Sequence, residues 1–372
     1  MDSKFSYSFI GSETLITPSL IYYKELIQKN IKKAIEMARG ADHLWPHIKS
    51  HKMAEIVNMS ISLGIMRFKC ATIAEAEMVA NCGASHIVVA YPLIGPNIKR
   101  FLTLSKSYPN THFYAVGDDF KMISLLGESA YASSSNVDFL IDVNMGMNRT
   151  GVPLHRVIDF FHSIRSLKGI NVCGLHCYDG DRTEHELNER KMRAASLDKE
   201  LLTIYNQLIE LDSNSSLIIM GGSPSFPCHL DFPGAFFSPG TLFIYDYGYA
   251  KKFPDLEYTP AAAILTRVIS TPSPGVFSLD LGYKGIASDP PGIRGIILNF
   301  ENYEELFQSE EHWTFRMKPG HENECPKVGT EFLVIPTHIC PTSALYPNAY
   351  VIENGNVVDN WEVSARNRKI TI

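Results

Sequence analysis

The stretch Leu44-Trp45-Pro46-His47-Ile48-Lys49-Ser50-His51-Lys52 sets one lysine between two histidines at a spacing of two. In an extended chain, residues i, i+2 and i+4 share a face, so His47, Lys49 and His51 are expected to point the same way. Desolvation and neighbouring cations disfavour the ammonium form of a lysine so placed, freeing its amine to condense with a carbonyl. The bland reading of Lys49 is a surface lysine whose stem covers apolar neighbours, as Lys52 is expected to be.

Further clusters carry chemistry of their own. Gly221-Gly222-Ser223-Pro224-Ser225 follows the apolar run Ser216–Met220, and Ser238-Pro239-Gly240-Thr241 comes soon after. Paired glycines let backbone N–H groups approach an anion, and Ser223 adds a hydroxyl. Each alone is as well read as a turn. In Asp142-Val-Asn-Met-Gly-Met-Asn-Arg-Thr-Gly151 an acid is followed by a loop that delivers Arg149. This arginine is suited to a carboxylate, a phosphate or a ring nitrogen, or else braces its own loop. His338 and Cys340, in Pro336-Thr-His-Ile-Cys-Pro-Thr342, are spaced to share one metal, and imidazole with thiolate favours zinc. Two ligands suit an open site, whereas a buried cysteine beside an unrelated histidine needs no metal. Leu279–Asp289 and Glu310-Glu311-His312 are polar clusters that matter only if their domain reaches a substrate.

Such groups need elements to hold them. The pattern predicts strands near 44–49, 65–70, 86–92, 112–117, 137–143, 172–178, 217–222 and 242–247. Helical patterns lie between them, at 118–130, 153–167 and 184–211, and from Thr72, where Thr72 and Glu75 form a capping box. Eight strands alternating with helices predict an α/β chain built on a (β/α)8 TIM-type barrel, with a doubly wound open sheet as the rival. Beyond about residue 255, short alternating runs separated by Pro and Gly predict an all-β C-terminal domain. Barrel chemistry sits at the C-terminal ends of strands. Lys49, Cys70, Tyr91, the loop from Asn144 to Arg149, His176, Tyr178 and Gly221–Ser223 are therefore expected to converge on one mouth.

The bulk numbers agree with an ordinary soluble protein. The 372 residues carry 34 basic and 40 acidic side chains, a net charge of -6 that argues against a nucleic-acid groove. No apolar run reaches the length of a membrane span, and the N-terminus lacks a signal-peptide core. Seven scattered cysteines do not form a disulfide framework, so a cytoplasmic location is expected.

Taken in order, PHIKSHK, DVNMGMNRTGV, GGSPS, SPGTLFIYD, LDLGYKGIASD, EEHW and THICPT resemble the D-threonine aldolase and D-serine dehydratase family. These are fold-type III pyridoxal-phosphate enzymes related to alanine racemase, and the resemblance runs across nearly the whole chain. It implies residues 1–18 packing with the β domain, a cofactor-binding barrel over 19–250, and a metal-carrying β domain over 251–372. It implies that Lys49 joins pyridoxal 5'-phosphate, that Gly221, Gly222, Ser223, Gly240 and Thr241 cradle the phosphate, and that Arg149 and Tyr178 contact the cofactor. His338 and Cys340 become the metal pair, most simply zinc, with manganese or magnesium as alternatives. Lys49, His176 and Tyr178 are the catalytic candidates, and a homodimer is implied. Many relatives carry a histidine where this chain has Asp181, so His176 or His185 is a candidate to replace it.

The implied reaction is a lyase reaction on small D-β-hydroxy amino acids. Two outcomes compete: elimination, which turns D-serine into pyruvate and ammonia, and retro-aldol cleavage, which gives glycine and an aldehyde. Cys340 at the metal favours elimination, so the expectation is a D-serine dehydratase, with D-threonine aldolase as the alternative. A metal-free amino-acid racemase is a further one.

Overall fold

The computed structural model describes residues 5–369 and 371. They form two compact units. One comprises Lys32–Gly240 with the C-terminal residues from Asn367, and the other the chain up to Ile31 with Thr241–Arg366.

The first unit is an α/β barrel. The strands Arg67–Cys70, His86–Val89, His112–Gly117, Val137–Asn144, Ile170–Cys177, Leu217–Met220 and Ala235–Phe237 pair in that order, each parallel to the next. Residues 44–47 close the ring. Leu44 bridges Phe237 and His47 bridges Lys69, while Trp45 N donates to Phe237 O at 2.8 Å and Lys69 N to Pro46 O at 2.9 Å. Pro46 has no N–H to give, so this segment makes bridges rather than the full strand expected over 44–49. Its continuation, Ile48–Ser50, is a 3-10 turn.

The strand expected at 242–247 does not form either. Thr241–Phe243 is a 3-10 turn belonging to the other unit, with Tyr245 N returning to Thr241 O. Leu242, Phe243, Ile244 and Tyr245 are all buried, so a short apolar run was indistinguishable in sequence from a strand. Ala235–Phe237 takes the last position in the ring.

Local signals explain the helices. Thr72 Oγ1 accepts from Glu75 N at 3.1 Å and caps Ile73–Asn81; the Glu75 carboxylate reaches back to Ala71 N at 2.6 Å. Glu75 is fully buried and paired with Lys52, so Lys52 is not the solvent-facing lysine expected. Asp119 caps Phe120–Ala132 through Met122 N. Inside the ring, Trp45, Val88, Val116, Leu140 and Ile219 form an apolar plug. Burying it supplies the main drive for closure.

The second unit is β-rich. Ser19–Tyr23 pairs antiparallel with Ala262–Ser273 and parallel with Asn348–Glu353, and Ala262–Ser273 pairs with Val276–Leu279 and Glu331–Pro336. Aromatic packing fills it: Phe277 stacks on Phe315 at 5.3 Å, and Phe300 meets Phe332 at 4.9 Å.

Gly174 tests the barrel's register. It sits at φ 147 beside an irregularity in the pairing of Val137–Asn144 with Ile170–Cys177, and an added Cβ would lie 1.8 Å from Leu217 O. Gly174→Ala is expected to cost about 2–4 kcal/mol of stability, read as a lower urea midpoint. An unchanged midpoint would show that the strands can shift to admit a methyl group.

Candidate active site

Lys49 lies in the 3-10 turn that leaves the barrel-closing segment, half-buried, its backbone N donating to His47 Nδ1 at 3.4 Å. The turn breaks the alternation expected from an extended chain. His51 is directed elsewhere, its Nδ1 accepting from Met53 N at 3.2 Å. Burial, followed by the charges of Lys49 and Lys69, holds the His47 pKa well below its ordinary value. Burial and Lys52 bring His51 down to about 3. Both histidines are therefore neutral near pH 7, not the neighbouring cations expected beside Lys49.

The charge that does converge on the barrel interior comes from other residues. Lys69, in the strand Arg67–Cys70, is buried, and desolvation with the charge of Lys49 lowers its pKa to about 7. Its Nζ lies 5.3 Å from the Tyr178 ring centroid, and the Arg149 guanidinium lies 4.8 Å from the same ring. Asp142 and His176 are register partners on neighbouring strands, and His176 Nδ1 stands 2.7 Å from Asp142 Oδ1. Asp142 is held below the usual carboxylate range: burial opposes its charge, but the hydrogen bond and charge of His176 outweigh it. Burial lowers the His176 pKa, and its Nε2 is buried with no hydrogen-bond partner. With Nδ1 donating to Asp142, Nε2 is left as an acceptor facing whatever enters.

Sequence reasoning missed Lys69. The signal was there: in Arg67-Phe68-Lys69-Cys70 a cation stands on the same face as Arg67 in a strand that must bury one side. Cys70 is buried instead on the opposite side of the chain, its thiol pKa raised by desolvation and then by Glu75. Tyr91, expected at the mouth, is 61% exposed.

The loop that carries Arg149 is braced from within. Asn144 Oδ1 accepts from Gly146 N at 3.0 Å and Asn148 N at 3.1 Å, and Arg182 donates to Met145 O at 3.1 Å. Arg149 itself is exposed over Tyr178, so it is not the brace. Asp181 is engaged by Arg182 at 3.1 Å and Arg193 at 2.8 Å. His185 is exposed beside Glu186. Of the two candidates to stand in for a histidine at 181, His176 is the one in the barrel interior.

The turn from Gly221 to Phe226 is closed on itself. Gly221 has φ 73, Gly222 N donates to Ser225 Oγ at 2.9 Å, and Gly240 N donates to Ser223 Oγ at 3.0 Å. A Cβ on Gly222 would come 2.9 Å from Tyr178 Cε2, and one on Gly240 would come 3.3 Å from His47 O. The glycines thus bring this turn against Tyr178 and against the segment that bears Lys49. Behind it runs a buried relay not foreseen in the sequence. Ser225 Oγ donates to Asp179, whose other oxygen is 2.9 Å from His229 Nε2, and His229 Nδ1 is 2.8 Å from Asp198.

In the β-rich unit, Thr241 Oγ1 lies 3.2 Å from Cys340 Sγ rather than free for an anion. His338 Nδ1 is 3.2 Å from Asp289, and the His338 side chain is hydrogen-bonded to Cys340. Buried Asp246 accepts from Ile339 N at 3.0 Å and so fixes the chain between the two. Among the described residues, no group of three or more His, Cys, Asp or Glu side chains is placed to hold a metal ion. An adjacent imidazole and thiol, the ring oriented by a carboxylate, fit an open two-ligand site and not a closed structural one.

Comparison with known proteins places the chain. Residues 24–230, more than half of its length, match the model of the alanine racemase N-terminal domain, and residues 261–352 match the one described as "Putative serine dehydratase domain". The chain belongs to the alanine racemase N-terminal domain family. A D-threonine aldolase of Arthrobacter sp is 25% identical over 366 residues, covering 94% of this chain and 92% of that one. The crystal structure of D-threonine aldolase from Filomicrobium marinum superposes with a TM-score of 0.88 at 23% identity, covering 98% and 100% of the two chains. D-threo-3-hydroxyaspartate dehydratase from Delftia sp. HT23 follows at 0.82 and 17%, covering 94% and 98%. These superpositions establish the alanine racemase-like barrel with a C-terminal β-rich domain. Among the described residues, no helix is long and apolar enough to cross a membrane.

The relay makes a prediction about pH. Burial opposes the His229 charge, but hydrogen bonds from Asp179 and Asp198 outweigh it and raise the pKa to about 9, against 6.5 unfolded. A raised folded value contributes stability that is fully present below about pH 6.5 and lost as pH rises through about 9. The contribution is about 3 kcal/mol. Urea midpoints measured between pH 6 and 10 are expected to fall more steeply for the native chain than for His229→Gln. Parallel pH profiles would place the His229 charge elsewhere.

Proposed function

We propose that the chain is a pyridoxal-phosphate-dependent lyase that cleaves D-β-hydroxy amino acids by a retro-aldol reaction, giving glycine and an aldehyde. The enzyme class is that of the D-threonine aldolase and hydroxyaspartate dehydratase type, to which the chain is similar along nearly its whole length. The observation that carries the finer reading is the 25% identity to a D-threonine aldolase along 94% of this chain. It moves the reading from the dehydratase expected from Cys340 to the aldolase held as its alternative.

The residues fit the cofactor. Lys49 offers an amine in the turn at the barrel rim, and the orphaned Nε2 of His176 supplies a buried polar atom in need of a partner. The turn at Gly221–Ser223 with Gly240 is proposed to receive the phosphate. When bound, pyridoxal phosphate supplies an electron sink for charge left on Cα, and a divalent metal supplies a Lewis acid for the β-hydroxyl. Lys49 would hold the cofactor through its amine. Arg149 and Lys69, both set against Tyr178, give the barrel interior a surplus of positive charge that suits a carboxylate or phosphate. His176, oriented by Asp142, accepts the hydroxyl proton at Nε2 as the Cα–Cβ bond breaks. His338 and Cys340 are proposed as the metal ligands.

One observation favours elimination as a second reading. Solved variants of the D-threo-3-hydroxyaspartate dehydratase replace a histidine and a cysteine two positions apart, and the cysteine variant was solved in a metal-free form. His338 and Cys340 have the same identities and spacing.

Products decide between these readings. Protein loaded with pyridoxal phosphate and zinc is expected to turn D-threonine into glycine and acetaldehyde, and to lose that activity to a chelator. Formation of an oxo acid with ammonia would instead establish the dehydratase. Chelator-resistant interconversion of D and L forms would establish a racemase. Separately, loaded native protein is expected to show the visible absorption of a lysine-bound cofactor, and Lys49→Ala to lack it. Persistence of that absorption in the variant would remove Lys49 from its role.

A further inference from the structure

We infer that the buried relay Asp198–His229–Asp179–Ser225 is the device that gives the Gly221–Ser223 turn its selectivity for a phosphate. The inference rests on the cofactor reading above and adds positioning residues that neither the motifs nor the relatives' names assign.

The geometry is continuous. Ser225 Oγ stands between two partners, accepting from Gly222 N at 2.9 Å and donating to Asp179 Oδ1. A hydroxyl has one proton, so committing it to a carboxylate leaves its lone pairs to the amide and fixes the rotor. The Gly222 carbonyl in turn accepts from Ser225 N at 3.2 Å and Phe226 N at 2.9 Å. The turn is thereby locked in one shape, with Ser223 at its tip. Ser223 Oγ accepts from Gly240 N at 3.0 Å, which directs the remaining Ser223 proton away from Gly240. Gly240 packs on His47 and Ser50, either side of Lys49, and His47 N donates to Pro239 O at 2.7 Å. One chain of contacts therefore links the relay to the phosphate turn and to the reactive lysine.

The relay has no evident structural duty that an apolar core could not meet more cheaply. Asp179 and His229 are 1% and 2% exposed, and Arg182, also 1% exposed, has Nε 3.7 Å from Asp179. Such a buried ionic cluster rarely stabilises more than well-packed hydrophobic residues of similar volume, but it fixes geometry in a way they do not. A second buried arginine points at the same turn: Arg190 Nε donates to Pro224 O at 3.1 Å. Arg182 also reaches Met145 O, so the Asp179 cluster holds the Arg149 loop as well as the phosphate turn. Ser225 and His229 are buried, at 0% and 2% exposed. They act as positioning residues.

The test compares pyridoxal phosphate with pyridoxal, which lacks the phosphate, by equilibrium dialysis against native protein, Ser225→Ala, Ser225→Thr and His229→Gln. Native protein is expected to favour pyridoxal phosphate strongly. Ser225→Ala and His229→Gln are expected to lose about tenfold in affinity for pyridoxal phosphate, the worth of one charge-assisted hydrogen bond, while pyridoxal binding stays within about twofold. Ser225→Thr keeps the hydroxyl and is expected to keep the preference. Circular dichroism confirms that each variant folds, and if His229→Gln does not, Ser225→Ala decides alone. An unchanged preference in Ser225→Ala overturns this inference, as does an equal loss of both ligands. Native protein that binds neither ligand overturns the cofactor reading itself, which separates the two failures.

Discussion

The ring of parallel strands is closed by a segment that hardly qualifies as a strand. Trp45 donates to Phe237 on one side and Pro46 accepts from Lys69 on the other, and the chain then turns at once into the segment carrying Lys49. A longer strand here would have carried Lys49 further along the ladder and fixed its backbone to the neighbours. Pro46 prevents that by removing a donor. Lys49 thus sits on a short turn anchored at its base by the barrel's own hydrogen bonds, and Gly240 lies so close to the same turn that a Cβ would come 3.3 Å from His47 O. Position and freedom come from the same few residues.

Above the apolar plug the barrel interior is costly. Lys69 is buried near Lys49 and Arg149, and within the ring the only strand-borne carboxylate weighing strongly on it is Asp142, already engaged by His176. Desolvation alone would expel such a lysine or neutralise it, and its lowered pKa records the compromise. The Tyr178 face gives it some compensation. The Asp179 cluster is the opposite case. There two carboxylates are matched by His229 and Arg182, so the charge is balanced and the function is rigidity.

Much of this was legible in sequence, for identifiable reasons. Parallel strands buried on both faces read as apolar runs such as Leu217–Met220 and Phe139–Ile141, and the capped helix Ile73–Asn81 announces itself through Thr72. Motifs at strand ends were legible because barrels put their chemistry there. Failures came where tertiary closure overrode local pattern. The run 242–247 looks like a strand because it begins with four apolar or aromatic residues, but Leu242–Tyr245 are buried on and just after a 3-10 turn. His51 shares Lys49's parity in sequence but not its direction, since the 3-10 turn between them rotates the face. Lys52 looks like a solvent lysine, because nothing local reveals that Glu75, twenty-three residues on, is fully buried beside it. The relay was illegible for the same reason: Asp179, Asp198 and the Ser225–His229 segment come from three places along the chain.

The division between cleavage and elimination comes down to which proton the protein accepts. Elimination needs an acceptor for the Cα proton, and retro-aldol cleavage needs one for the β-hydroxyl proton. In the proposed reading the amine of Lys49 would serve the first purpose. His176 is built for the second kind of role. Burial lowers its pKa, Asp142 takes its Nδ1, and Nε2 is buried without a hydrogen-bond partner. Asp181, where the resemblance implies a histidine, is instead tied to two arginines.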